Sequence, residues 1–275
     1  MMKRNKKHAV LLALLPIVAV ALTGCSFSFT GFEYRRAESE LNSKDYKDAL
    51  ALFRKIMDRE PESKWGLDSA RQAARAAFFD TKNYTQAIDF YKHLIEFSRD
   101  ETERVSSQRA VASIYFDNLT DYPRSIEAYN KLLMVETDPT HIVQYRFNLA
   151  RSYFYLNRFI DSKNEIEQAL KLSKKSDRTF ELNMFLASIY FNMKNVPQAL
   201  MIYQNLEQKF PKKAKTENIA LNESVCYEEE EKFDSAISEL QSIQSTYKDP
   251  EFIALKIKRL KEREANMPGA RGLRR

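Results

Sequence analysis

Residues 190–203, Tyr-Phe-Asn-Met-Lys-Asn-Val-Pro-Gln-Ala-Leu-Met-Ile-Tyr, hold the pattern that decides the fold. Tyr190 stands nine residues before Ala199, and Ala199 stands four before Tyr203 and seven before Leu206. Offsets of four and seven put Ala199, Tyr203 and Leu206 on one face of a helix. A second helix ends near Tyr190, and the turn between the two is only a few residues long. So short a turn forces an antiparallel pair.

The same pattern recurs along the chain. A small residue opens the second helix at Ala49, Ala87, Ser125, Ser162, Ala199 and Ala236, in steps of 38, 38, 37, 37 and 37 residues. Its partners four and seven residues on are Phe53 and Ile56, Tyr91 and Leu94, Tyr129 and Leu132, Ile166 and Ala169, Tyr203 and Leu206, Leu240 and Ile243. Nine or ten residues before the small residue sits an aromatic: Phe78, Tyr115, Tyr153, Tyr190 or Tyr227. The first helix of each pair is read from runs such as Leu67–Phe79, Val105–Phe116 and Ile142–Tyr155. Two helices that cross closely need an Ala- or Ser-sized side chain at the contact, and the aromatic fills the space beside it. Neither helix covers its apolar face alone, so the hairpins must stack.

This pattern resembles the tetratricopeptide repeat, whose signature has an aromatic in the first helix, an alanine nine later, an aromatic four beyond, and proline at the repeat end. Phe78/Ala87/Tyr91 and Tyr190/Ala199/Tyr203 match it, and Pro61 and Pro211 stand twelve residues after Ala49 and Ala199. The period is longer than the family's usual 34, the Trp early in the first helix is absent, and serine replaces alanine in the third and fourth repeats. The resemblance implies an all-α fold: an α-solenoid of about six antiparallel helix hairpins over residues 33–250. The run Phe252, Ile253, Ile257, Leu260 then reads as an amphipathic capping helix over 251–266, which hides the open end of the stack. Residues 267–275 read as a disordered basic tail, or alternatively as a contact for acidic headgroups or an acidic partner.

The amino terminus reads as an address. Four basic residues among the first seven precede an apolar run from Ala9 to Ala21, 13 residues long. That is short of the ~20 needed to span a bilayer as a helix, and it fits a secretory signal. Leu22-Thr23-Gly24-Cys25 resembles the lipobox of bacterial lipoproteins. That resemblance implies cleavage of 1–24, a diacylglyceryl group on Cys25, and an amino group acylated with palmitate or a similar chain. One acyl chain anchors marginally and two or three anchor firmly. Ser26 stands where an aspartate would retain the protein at the inner membrane, which implies the periplasmic face of the outer membrane in a Gram-negative cell. Residues 25–32 read as a lipidated tether.

Formal net charge is +6. The first seven residues carry four positive charges and the stretch from Lys256 to the end carries a surplus of six, so the rest is near −4. The basic balance is an end effect, and no broad basic face argues for nucleic acid. With Cys25 assigned to lipid, Cys226 is left as one thiol, read as core packing. No glycine-rich phosphate loop, His-Glu-x-x-His or Gly-x-Ser-x-Gly occurs. The expectation is no catalytic residue, no metal, no cofactor and no small-molecule substrate.

In the family, the residue after the first-helix aromatic faces a groove. Here those residues are Phe79, Phe116, Phe154 and Phe191, then Glu228, with Arg109, Arg151 and Asp80 as charged neighbours. Four successive phenylalanines would hold an extended or helical peptide by burial; packing between neighbouring first helices is the other reading. Gln72, Phe147, Met184 and Leu221 stand where the family's carboxylate clamp would need Lys, Arg or Asn, so that clamp is largely missing. Together the resemblances imply a non-enzymatic scaffold for envelope proteins. Its expected partner is an outer-membrane β-barrel, as for the lipoprotein subunit of the β-barrel assembly machinery. The alternatives are a secretin, as for pilotins of type IV pili, and a coordinator of peptidoglycan synthesis.

Overall fold

The computed structural model describes residues 29–174 and 176–267, and all their regular structure is helical. The chain divides into two compact units, Met1–Leu119 and Thr120–Arg275. In the first unit lie α1 (Phe29–Asn42), α2 (Tyr46–Arg59), α3 (Lys64–Arg75), α4 (Tyr84–Phe97) and α5 (Glu101–Ser113). In the second lie α6 (Tyr122–Val135), α7 (Pro139–Tyr155), α8 (Phe159–Leu172), α9 (Ser176–Asn192), α10 (Val196–Lys209), α11 (Pro211–Thr216), α12 (Ile219–Glu229), α13 (Phe233–Ile243) and α14 (Pro250–Ala265). Within each unit every long helix packs on the next, as expected for stacked hairpins.

The small residues lie where the steric argument put them. Ala49, Ala87, Ser125, Ser162, Ala199 and Ala236 are all fully buried. Where serine stands for alanine its hydroxyl is satisfied inside the unit. Ser162 Oγ donates to the Ala150 carbonyl at 2.7 Å, and the Ser125 and Ser152 hydroxyls lie 3.1 Å apart. A buried hydroxyl with a partner escapes the penalty of an unmade bond.

Each turn into a second helix has one geometry. The residue five before the small residue has positive φ: Lys44, Lys82, Thr120, Asn157, Lys194 and Glu231, with φ between 50° and 67°. The next residue caps the following helix. Asp45, Asn83 and Asp121 accept from the backbone N–H three residues on, at 3.3, 3.2 and 3.1 Å. Four of the turns close with a 2.9 Å bond from this cap N–H back to the carbonyl five residues earlier: Asp45 to Glu40, Arg158 to Tyr153, Asn195 to Tyr190 and Lys232 to Tyr227.

The two 38-residue steps have a visible cause. α3 runs into a π turn, Ala76–Asp80, and α5 into another, Ile114–Asn118. There the Thr81 N–H reaches the Ala76 carbonyl and the Leu119 N–H the Ile114 carbonyl, each at 3.0 Å across five residues. A π turn takes up one extra residue without ending the helix. The steps of 38 span these turns, and the steps of 37 contain none among the described residues.

Three boundaries differ from expectation. Residues 29–32, expected in a tether, form the first turn of α1, because Thr30 and Gly31 are buried against the unit; the rest of that tether, Cys25 and the signal stretch lie outside the described residues. α11 interrupts the last repeat, and Asn218, at φ 54°, restarts the chain as α12. α14 caps the second unit with Ile253, Ile257 and Leu260, but Phe252 turns outward at 40% exposure, and Met267, assigned to the tail, packs against the same cluster. The remaining tail lies outside the described residues.

Candidate partner-binding face

The second unit presents a built surface on α7 and α9. Gln144, Phe147, Arg151 and Phe154 recur at three- and four-residue spacing, so they share one side of α7. Phe185 on α9 meets this row edge-on at Phe147, with centroids 5.6 Å apart, and tilted at Phe154, 5.2 Å apart. Two guanidiniums lie over Phe147: Arg151 at 5.7 Å and Arg178 at 5.6 Å from its centroid. Arg178 is held by a 2.5 Å bond from Nη2 to Gln144 Oε1 and a 2.7 Å bond from Nη1 to Glu181. The result is a cationic roof over a ring cluster in which Phe147 is buried, 7% exposed, and Phe154 and Phe185 are half-buried, suited to a segment carrying apolar and acidic groups.

Arg178 also lines two clefts. The larger, about 780 Å³, is bounded by Asp177, Phe180, Glu181, Met184, Lys213 and Glu217. Lys213, from α11, lies 4.9 Å from the Phe180 centroid and pairs with Asp177 at 2.9 Å. The smaller, about 290 Å³, is bounded by Pro139, Thr140, Val143, Leu172, Ser173 and Lys174. The cations of the larger cleft already have carboxylate partners, so an incoming acidic segment would exchange one pair for another rather than meet bare charge.

The residues expected to line a groove separate into groups. In the first unit Phe79 is 65% exposed at the end of the π turn, edge-on to Phe78 at 4.7 Å. Arg109 is half-buried on α5. Phe116 corrects the expectation: it is buried, 4% exposed. Phe116 stands nine residues before Ser125 and five before its cap Asp121, as Tyr153 stands nine before Ser162 and five before Arg158. Phe116 is therefore the packing aromatic of its repeat, and Asp117 follows it as the exposed residue. In the second unit Arg151 and Phe154 share the α7 face, while Phe191 is half-buried against the core around Ala199. Phe185, Arg178 and Lys213 were not foreseen. Phe185 and Arg178 reach the face from a helix some thirty residues away, and Lys213 comes from the helix that breaks the repeat.

Two buried titratable groups lie elsewhere in this unit. Burial foremost, then Glu223 and Glu230, push the Cys226 thiol up to about 12, which keeps it protonated and unreactive at neutral pH. Glu223, 2% exposed with Oε1 lacking any partner, is pushed up to about 7, first by burial and then by Glu207 and Glu239. A carboxyl raised on folding takes up a proton as the chain folds. Its stabilising contribution is present below the ordinary carboxylate range and is lost as pH rises through about 7. The melting midpoint of the chain is therefore expected to fall between pH 5 and pH 8 (roughly the linkage window), and Glu223→Gln should flatten that slope. An identical slope in the variant would reject this assignment. Glu33, Glu103 and Glu136 are held below the usual range, so their effect lies at lower pH. Glu239, raised first by burial, adds to the same fall, and His93, lowered first by burial, opposes it. The difference between variant and wild type is therefore what isolates Glu223.

Comparison with known proteins agrees with this architecture. Two family models, both described as tetratricopeptide repeat, match the chain, one over residues 33–63 and 186–213 and the other over 143–176. No curated protein matches the sequence. Among solved structures, a tetratricopeptide repeat protein from Parabacteroides merdae is similar at TM-score 0.53 and 15% identity, over 86% of this chain and 88% of that one. YrrB, described as a TPR protein with an unusual peptide-binding site, is similar at TM-score 0.52 and 15% identity, over 75% and 97%. PilW, described as a widely conserved type IV pilus biogenesis factor, is similar at TM-score 0.52 and 12% identity, over 82% and 99%. The chain thus carries tetratricopeptide repeats, and its all-α fold is the solenoid type built from them.

Proposed function

We propose that this protein is a lipid-anchored scaffold of the outer membrane's periplasmic side, holding a segment of another envelope protein on the α7/α9 face. The observation that carries the binding half is the ring cluster of Phe147, Phe154 and Phe185 under Arg151 and Arg178. Phe147 is already buried, so a partner gains apolar burial only from the half-buried Phe154 and Phe185, less than the roughly 1.5–3 kcal/mol of a fully exposed ring, and the guanidiniums add preference for carboxylates. The lipobox at Leu22–Cys25 supports the anchor. Of the assembly machines to which such a scaffold could belong, type IV pilus biogenesis takes support from the likeness to PilW; β-barrel assembly and peptidoglycan synthesis would use the same repeats.

A photo-crosslinking residue placed at Glu181 in cells, beside Arg178, tests the face and names the neighbour. A distinct envelope protein should be captured, and capture should drop when Arg151→Glu and Arg178→Glu are added. Capture that ignores both changes would reject the face. Cys25→Ser should lose the acyl mass and leave the membrane fraction; an unchanged acylated mass would reject the anchor.

A further inference from the structure

α1 has two unlike sides. Its inner side, Thr30, Glu33, Tyr34 and Ala37, is buried. Glu33 is clamped by Lys55 at 2.7 Å and Arg59 at 2.6 Å, and Tyr34 lies 5.0 Å from the Trp65 ring. This side fixes the helix rigidly to α2 and α3. The outer side carries Phe29 at 65% and Phe32 at 57% exposure, with Arg35 and Arg36 exposed behind them. Offsets of three, six and seven from Phe29 keep all four on the same side. Arg36 pairs with Glu40 at a loose 3.8 Å, and the Arg59 guanidinium lies 5.4 Å from the Phe29 centroid. Two bare phenylalanines on a rigid helix are surface that water disfavours.

Chain length says what covers them. Cys25 precedes Phe29 by four residues, which reach at most about 14 Å when fully extended. The backbone of Cys25 therefore lies within that distance of the start of α1, where the rings stand. We propose that Phe29, Phe32, Arg35 and Arg36 form a docking face for an anionic phospholipid surface. The rings enter the headgroup zone and the two guanidiniums meet lipid phosphates. This rests on the reading of Cys25 as the lipidated residue and goes beyond it: the acyl chains hold the protein at the membrane, whereas α1 sets how the first unit stands on it.

Trp65, the chain's single tryptophan, packs against Tyr34 on the inner side of α1, one helix diameter of ~10 Å from the outer face, and so reports on a membrane that α1 lies against. The full acylated chain is placed in vesicles of phosphatidylethanolamine and phosphatidylglycerol brominated near the headgroup. Trp65 fluorescence should be quenched. Most of that quenching should be lost in Phe29→Ser/Phe32→Ser and in Arg35→Gln/Arg36→Gln, with helicity unchanged. Both variants should still sediment with vesicles and retain the acyl mass on Cys25. Anchored but unquenched wild type, or variants quenched as strongly as wild type, would overturn the docking face while leaving the anchor standing. A missing acyl mass would overturn the anchor and the docking together. Self-association without vesicles that depends on Phe29 and Phe32 would assign the face to a second copy and overturn the lipid assignment.

Discussion

Ala199→Arg is expected to collapse the core of the second unit. Ala199 is fully buried among Phe180, Ala187, Val196, Tyr203 and Leu206, where α9 and α10 cross. An arginine there must push the helices apart, and its charge has no partner in an apolar surround. Overpacking costs about 1–3 kcal/mol, and an unpaired buried charge adds several kcal/mol more. Together they exceed roughly 4 kcal/mol, the range of rare and diagnostic mutations. In a chain of this size that lowers the melting midpoint by about 10 °C or more. Ala199→Ser should be mild, since serine already occupies the equivalent position at Ser125 and Ser162. A circular-dichroism melt of the arginine variant that matches wild type would show that the small residue does not mark a close helix contact.

Gly66→Ala should destabilise the first unit, against the usual sign. Replacing glycine by alanine inside a helix normally gains about 1 kcal/mol. Gly66 is the exception because the preceding turn folds over it: an added Cβ would lie 2.1 Å from the Glu60 carbonyl oxygen and 3.1 Å from that of Pro61. Both obstacles are backbone, so no rotamer change relieves them. The same turn holds the Ser63 cap, whose Oγ accepts the Gly66 N–H at 3.0 Å, and the Pro61 carbonyl, 3.0 Å from His93 Nε2 on α4. Moving the turn disturbs both. Loss of a cap costs about 1 kcal/mol and strain about 1–3 kcal/mol, so the expected net loss is on the order of 1–3 kcal/mol. Gly31→Ala is the control. There the nearest atom, at 3.1 Å, belongs to the Trp65 side chain, which can give way. A Gly66 variant with a raised denaturation midpoint would contradict the geometry.

The repeating hairpins were legible because their cause is local and periodic. A small residue, its two partners and a capped turn recur within fifteen residues, and every copy obeys the same sterics. The register of Phe116 was not legible. Two adjacent aromatics, Tyr115 and Phe116, stand ten and nine residues before Ser125, and a spacing read as nine or ten did not say which of them packs and which faces out. The candidate face was half legible. Phe147, Arg151 and Phe154 follow from helical spacing on α7, but Arg178 and Phe185 arrive from a helix whose placement no local pattern states, and Lys213 comes from a break in the repeat. Gly66 carries no signal at all in the sequence, because the atoms that need it belong to a turn whose path only three dimensions reveal.

The six junctions between paired helices carry a further implication for how this protein tolerates heat. Each places a side-chain-bearing residue in the left-handed region, at Lys44, Lys82, Thr120, Asn157, Lys194 and Glu231. For ordinary residues that conformation carries a penalty of roughly 1–2 kcal/mol, which glycine escapes. The hairpins were therefore assembled with headroom, and an engineer seeking a hardier version should begin at the bends, leaving the packed interior untouched.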